Sequence, residues 1–78
     1  MEMRLTITSI EIIQSLMICG LDSEEIREWL LMKNPVLGYR TPLYLINRGR
    51  AERVLQMTLE AEEDPHRLLF ENLKEMKT

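Results

Sequence analysis

Few side chains in this sequence are equipped for covalent or acid–base chemistry. It holds one histidine, His66, and one cysteine, Cys19. His66 follows Asp64-Pro65 at the exposed start of a predicted helix, where solvation is the expected state. Cys19 has no histidine near it in sequence and falls near a helix C-terminus, a position that does not favour the thiolate. It reads as a small packing residue. Glu60, Glu62, Glu63 and Asp64 form an acidic cluster, but they lack the ligand spacing and turn glycine of a calcium loop. A solvated helix face ending in an N-cap accounts for them. There is no glycine-rich phosphate loop. No catalytic residue, metal ligand or cofactor is therefore expected, and the chain reads as a non-enzyme.

The second chemically distinctive feature is charge. The net −3 conceals three blocks. Residues 1–32 carry two basic and six acidic side chains, residues 33–56 five basic and one acidic, and residues 57–78 three basic and six acidic. The basic centre consists of Lys33, Arg40, Arg48, Arg50 and Arg53. Arginine forks bind phosphates and carboxylates bidentately. Tyr39, Arg40, Tyr44, Arg48, Arg50 and Arg53 are accordingly the candidate partner-binding residues. A nucleic-acid backbone, an acidic groove on a protein, and plain solvation of helix-end charges all remain open for them. The acidic flanks oppose a duplex, because binding to one rests on phosphate neutralisation.

These residues need a scaffold, and 78 residues allow one domain. A chain of this size buries only about 60% of the surface its unfolded form exposes, so a partner or a dimer interface is expected. One cysteine makes no internal disulfide. No apolar run approaches a membrane span and no signal-type block opens the chain, so a cytoplasmic location without membrane contact is expected.

Residues 3–8 alternate, with Met3, Leu5 and Ile7 opposite Arg4, Thr6 and Thr8, the period of a strand. Nothing later repeats the pattern. Residues 1–8 are expected either to lie over the domain as an extended arm or to pair with a second copy, giving a homodimer through the arm. Thr8 and Glu11 have capping-box spacing and predict a helix from there to about Cys19, with Gly20 as its stop. Its expected apolar side is Ile10, Ile12, Ile13, Leu16 and Met17, with Ile18 falling on the polar side. Asp22 to Glu25 starts a second helix that buries Ile26, Trp29 and Leu30, stapled by Leu21, and ends before Pro35. Residues 33–40 read as a structured loop. Thr41-Pro42 opens a short third helix, 43–48, stopped by Gly49. A fourth is predicted over 50–63, burying Ala51, Val54, Leu55, Met57 and Ala61. Asp64-Pro65 opens a fifth over 64–77, with Leu69, Phe70, Leu73 and Met76 apolar. The expected fold is all-α, a compact bundle of about five short helices with an extended N-terminal arm.

The run from Trp29 to Ile46 is distinctive. Trp29-Leu30 precedes Asn34-Pro35, Leu37-Gly38 and Thr41-Pro42-Leu43, and Gly49, Arg50 and Val54-Leu55 follow. This order resembles the toxin-binding domain of the Xre/MbcA/ParS antitoxin family, over residues 22–59. The motif residues Trp29, Asn34, Pro35, Leu37, Gly38, Thr41, Pro42, Leu43 and Gly49 also have structural reasons to be there: helix ends, turns and caps. The resemblance implies a module that neutralises a RES-type, NAD-degrading toxin by covering its active site. Two departures stand out. Family members commonly carry a second glycine where this chain has Tyr39. The residues before the second helix are also too few for the helix-turn-helix part that usually precedes the domain. DNA binding is therefore not expected unless another chain supplies that part. An antitoxin-like binding module is the leading expectation. A small helical DNA-binding regulator and a dimeric adaptor are the alternatives.

Overall fold

A computed structural model describes residues 2–68 of the chain, and over these residues the fold is all-α. Four α-helices are present: α1 (Ile7–Ile18), α2 (Ser23–Leu30), α3 (Pro42–Asn47) and α4 (Ala51–Ala61). Two 3-10 turns, Pro35–Leu37 and Pro65–Leu68, complete the order. Local capping chemistry sets three of the four starts. Asp22 accepts from the Glu25 amide at 2.9 Å, while the Glu25 carboxylate accepts from the Asp22 amide at 2.8 Å. The Thr41 hydroxyl caps α3 through the Tyr44 amide at 3.0 Å, with Pro42 in the first position. α4 starts at Arg50 with no side-chain cap.

The start of α1 differs from the expectation. Thr6, not Thr8, is the N-cap, and Ser9 rather than Glu11 closes the box. The Thr6 hydroxyl accepts from the Ser9 amide at 3.1 Å, and the Ser9 hydroxyl accepts from the Thr6 amide at 2.8 Å. Both threonines have box spacing. Thr6 prevails because Ser9 lies on the buried side of α1, where its hydroxyl must find partners.

The arm is shorter than residues 1–8, and no strand occurs among the described residues. Asn47, at the end of α3, holds it instead. The Asn47 side chain accepts from the Arg4 amide at 2.7 Å and donates to the Glu2 carbonyl at 3.0 Å. Of the alternating residues only Met3 packs on the core, whereas Leu5 and Ile7 are exposed.

α4 is the central element, packed against α1, α3 and the second 3-10 turn. It runs antiparallel to α1: the Ser15 hydroxyl donates to the Glu62 carboxylate at 2.6 Å, and the Cys19 thiol lies 3.8 Å from the Thr58 carbonyl. Ile12 and Leu16 of α1, Trp29 and Leu30 of α2, Ile46 of α3 and Val54 of α4 form the inner core. The indole N–H of Trp29 donates to the Leu68 carbonyl at 2.9 Å, which fastens the second 3-10 turn to α2. Two apolar residues expected inward on α1, Ile10 and Met17, are exposed, as is Ile18. α1 is apolar over much of its circumference, so its periodicity alone does not choose the packed side. On α4, Ala51 and Leu55 are half-buried, and Thr58 is fully buried with its hydroxyl donating to the Leu55 carbonyl at 2.9 Å.

α3 spans 42–47 rather than 43–48, and α4 spans 51–61 rather than 50–63. The Asp64-Pro65 start signal produces a 3-10 turn, with the Arg67 amide donating to the Asp64 carbonyl at 2.9 Å. The rest of the helix expected over 64–77, including Leu69, Phe70, Leu73 and Met76, lies outside the described residues.

Candidate partner-binding surface

The loop between α2 and α3 is built on Asn34. Pro35 prevents α2 from continuing, and the backbone at Asn34 is extended. The Asn34 side-chain oxygen accepts from the Val36 amide at 2.9 Å, capping the 3-10 turn. Its carbonyl accepts from the amides of Leu37 at 3.0 Å and Tyr39 at 2.9 Å. Its own amide donates to the Arg40 carbonyl at 3.1 Å, an isolated antiparallel bridge that closes the loop. To return within so few residues the chain takes two left-handed steps in succession, Gly38 at φ +69° and Tyr39 at φ +62°. Glycine enters this region freely, whereas an L side chain costs roughly 1–2 kcal/mol there. Tyr39 thus occupies a glycine-type backbone position with its ring exposed.

α3 then displays side chains at helical spacing. Arg40, just before its cap, and Arg48, at its end, bracket Tyr44. The Arg40 guanidinium lies 5.2 Å and that of Arg48 5.4 Å from the centre of the Tyr44 ring, within cation–π range of both. Lys33, Tyr39, Arg40, Thr41 and Tyr44 line a shallow basin beside this stack. A Schellman motif ends α3: the Gly49 amide donates to the Ile46 carbonyl at 3.2 Å and the Arg50 amide to the Leu45 carbonyl at 2.8 Å. Gly49, at φ +79°, is the left-handed residue that this turn requires. The corner brings α4 back against the loop, where Arg53 donates to the Val36 carbonyl at 3.2 Å. Arg40, Arg50 and Arg53 line a second groove with Val36, Leu37 and Leu45.

Five of the six candidates line adjoining concavities, with Arg40 common to both. Tyr39 and Tyr44 line the basin, Arg50 and Arg53 line the groove, and Arg48 lines neither but stacks on the Tyr44 ring. None of Lys33, Arg40, Arg48, Arg50 and Arg53 pairs with a carboxylate among the described residues, where the ion pairs are His66–Asp64 and Arg67–Glu60. Five cations left without counter-ions, two of them held on an aromatic ring, give a surface suited to carboxylates or phosphates. Lys33 and Val36 also line these concavities; the sequence marked Lys33 only as part of the basic block. The signal that could have located both is the tight return imposed by Asn34-Pro35 and Gly38.

The motif residues hold the surface from beneath. Trp29, Asn34, Leu37 and Pro42 are buried, and Leu43 packs on the core edge. The acidic residues 60–64 meet other partners, Glu62 at Ser15 and Glu60 at Gln56 and Arg67. His66 is exposed and faces Asp64 at 3.4 Å. No helix is long and apolar enough to cross a membrane among the described residues. No family model matches the chain, and neither a curated protein nor a solved structure matches it significantly.

Proposed function

We propose that this chain is a non-enzymatic, cytoplasmic binding module that neutralises a partner toxin by covering its active site. The resemblance of residues 22–59 to the toxin-binding domain of the Xre/MbcA/ParS antitoxin family points to a RES-type, NAD-degrading toxin. The observation that carries the reading is Tyr39. A tyrosine in a backbone conformation that favours glycine is a local cost, and such strain clusters where the side chain is used. Its ring lies in the basin with the Arg40–Tyr44–Arg48 stack, and tyrosine and arginine are the residue types that dominate protein interfaces. Unpaired arginines add steering and specificity toward an acidic partner. In this reading the domain is a compact bundle of about five short helices.

Co-expression with a RES-type toxin tests the proposal. The expected outcome is co-purification, restored growth and restored cellular NAD, all lost in Tyr44→Ala/Arg48→Ala. If the wild-type chain neither co-purifies with the toxin nor restores growth, the reading is wrong. The unpaired cations also favour a nucleic-acid backbone as a second reading. That reading requires duplex binding at low salt that weakens steeply as salt rises.

A further inference from the structure

Five large apolar side chains between residues 5 and 18 lie exposed: Leu5 (74%), Ile7 (80%), Ile10 (48%), Met17 (61%) and Ile18 (68%). Four of them belong to α1. At 100° per residue, Ile7, Ile10, Gln14, Met17 and Ile18 fall within an arc of about 100°. That arc lies away from the one formed by Ser9, Ile12, Ser15, Leu16 and Cys19, which is buried against the rest of the domain. α1 thus has two apolar sides, and its own fold uses one. The exposed set amounts to about 600 Å², the top of the range for the largest apolar patch on a typical monomer.

We propose that this face of α1 is an isologous dimer interface, occupied by α1 of a second copy running antiparallel to it. Three observations select that occupant. The stripe has the 3–4–3 spacing of a helix-pairing seam, with Ile7 and Gln14 in one row and Ile10 and Met17 in the other. Between Ile7 and Ile18 the one charged residue is Glu11, so the face offers little to a charged partner and is complementary to itself. Together with Leu5 it exposes about 600 Å² per partner, the lower bound of a stable protein interface. In the antiparallel register Ile7 packs on Met17 of the second copy and Ile10 on its Gln14. One polar residue in such a seam costs stability but fixes the register. Leu5 and Ile18 extend the contact at the two ends. The arm residues 2–4 are engaged with Asn47, so α1 takes the place of strand pairing as the route to a homodimer.

The proposal is independent of toxin binding, because no residue of the stripe lines the basin or the groove. Sedimentation equilibrium of the full chain across the micromolar range tests it. The expected result is a reversible dimer of twice the 9.3 kDa monomer mass. Ile7→Glu/Met17→Glu places like charges against each other at both ends of the seam and is expected to be monomeric throughout. Ile7→Glu/Met17→Lys places opposite charges there and is expected to remain dimeric. Both positions are exposed, and a carboxylate in the first turn of α1 favours the helix. An unchanged far-UV circular dichroism spectrum with a cooperative melt therefore separates lost association from lost folding, the midpoint itself falling as the dimer is lost. A wild-type chain that stays monomeric overturns the proposal. So does a like-charge variant that still dimerises, or an opposite-charge variant that does not.

Discussion

Replacing Trp29 with phenylalanine probes the contact that fastens the second 3-10 turn to the core. Trp29 is fully buried, and its indole N–H is the donor to the Leu68 carbonyl at 2.9 Å. Phenylalanine keeps the six-membered ring but removes that donor and leaves a void where the five-membered ring packs. Leu68 is itself buried, so its carbonyl loses a partner that water does not readily replace. Leaving such a group unsatisfied costs about 1–3 kcal/mol. The void adds about 1 kcal/mol. The total of about 2–4 kcal/mol is a large share of the roughly 4–12 kcal/mol expected for a domain of this length. At about 4–8 °C per kcal/mol, Tm should fall by about 8–32 °C. Trp29 is the one tryptophan, so far-UV circular dichroism rather than fluorescence is the readout. The damage should also be localised. The Arg67 amide, bonded to the Asp64 carbonyl within that turn, should lose hydrogen-exchange protection well before amides in the middle of α4. A Tm within about 4 °C of wild type, below the shift expected for one kcal/mol, would refute the reasoning. So would an Arg67 amide exchanging at the wild-type rate.

Three further outcomes follow from the same contacts. Tyr39→Gly relieves about 1–2 kcal/mol of left-handed strain against roughly 0.5–1 kcal/mol of added chain entropy. Its Tm should stay level or rise while toxin capture in a pull-down falls; a lower Tm would contradict the strain argument. Ser15→Ala removes the hydroxyl bonded to Glu62 at 2.6 Å and should cost about 1–2 kcal/mol in urea denaturation. A double-mutant cycle with Glu62→Ala should return a coupling of at least about 0.5 kcal/mol, and strict additivity would show that the bond contributes nothing. Asn34→Ala deletes the cap on Val36 and should cost about 1–2 kcal/mol. Its effect on amide exchange should centre on Val36, with the middle of α1 unaffected.

What the sequence disclosed and what it withheld divide along the range of the interactions involved. The starts at Asp22 and Thr41, the break at Pro35 and the stop at Gly49 depend on groups within five residues of one another, and all appear where the residue types place them. The start of α1 was ambiguous for the same local reason. Thr6 and Thr8 both have a partner three residues on, and the choice was made by the burial of Ser9, a tertiary fact. The inward arc of α1 was also beyond local pattern, because isoleucine, leucine or methionine occurs on nearly every side. What chose it was α4, through Ser15–Glu62 and Cys19–Thr58, groups 47 and 39 residues apart. The candidate surface was legible where it is helical, since Arg40, Tyr44 and Arg48 follow at intervals of four. The left-handed turn at Tyr39 was not, because a tyrosine gives no sign in its own side chain of the backbone it will occupy.

The placement of apolar and charged residues on this small domain follows one logic. Fourteen buried hydrophobic residues make up the core among the described residues, few enough that each is needed. Leaving five more on one outer arc of α1 and the arm forgoes stability a thin core could use. Such an arc is stable against non-specific collapse only if something of matching chemistry covers it. Five of the cations are arranged the opposite way: Lys33, Arg40, Arg48, Arg50 and Arg53 gather on the loop, α3 and the start of α4, and none of the five is drawn into an ion pair among the described residues. Hydrophobic contact gives affinity with little discrimination, whereas arginine and tyrosine give direction and choice of partner. In the two proposals above, an apolar helix face for a second copy and a cationic aromatic face for a different protein divide those two tasks. α4 packs against both α1 and α3, so one rigid element joins the two surfaces. A dimer formed through α1 would carry two copies of the cationic surface. It would thereby gain avidity toward any partner that is itself multivalent, without a new contact in either site.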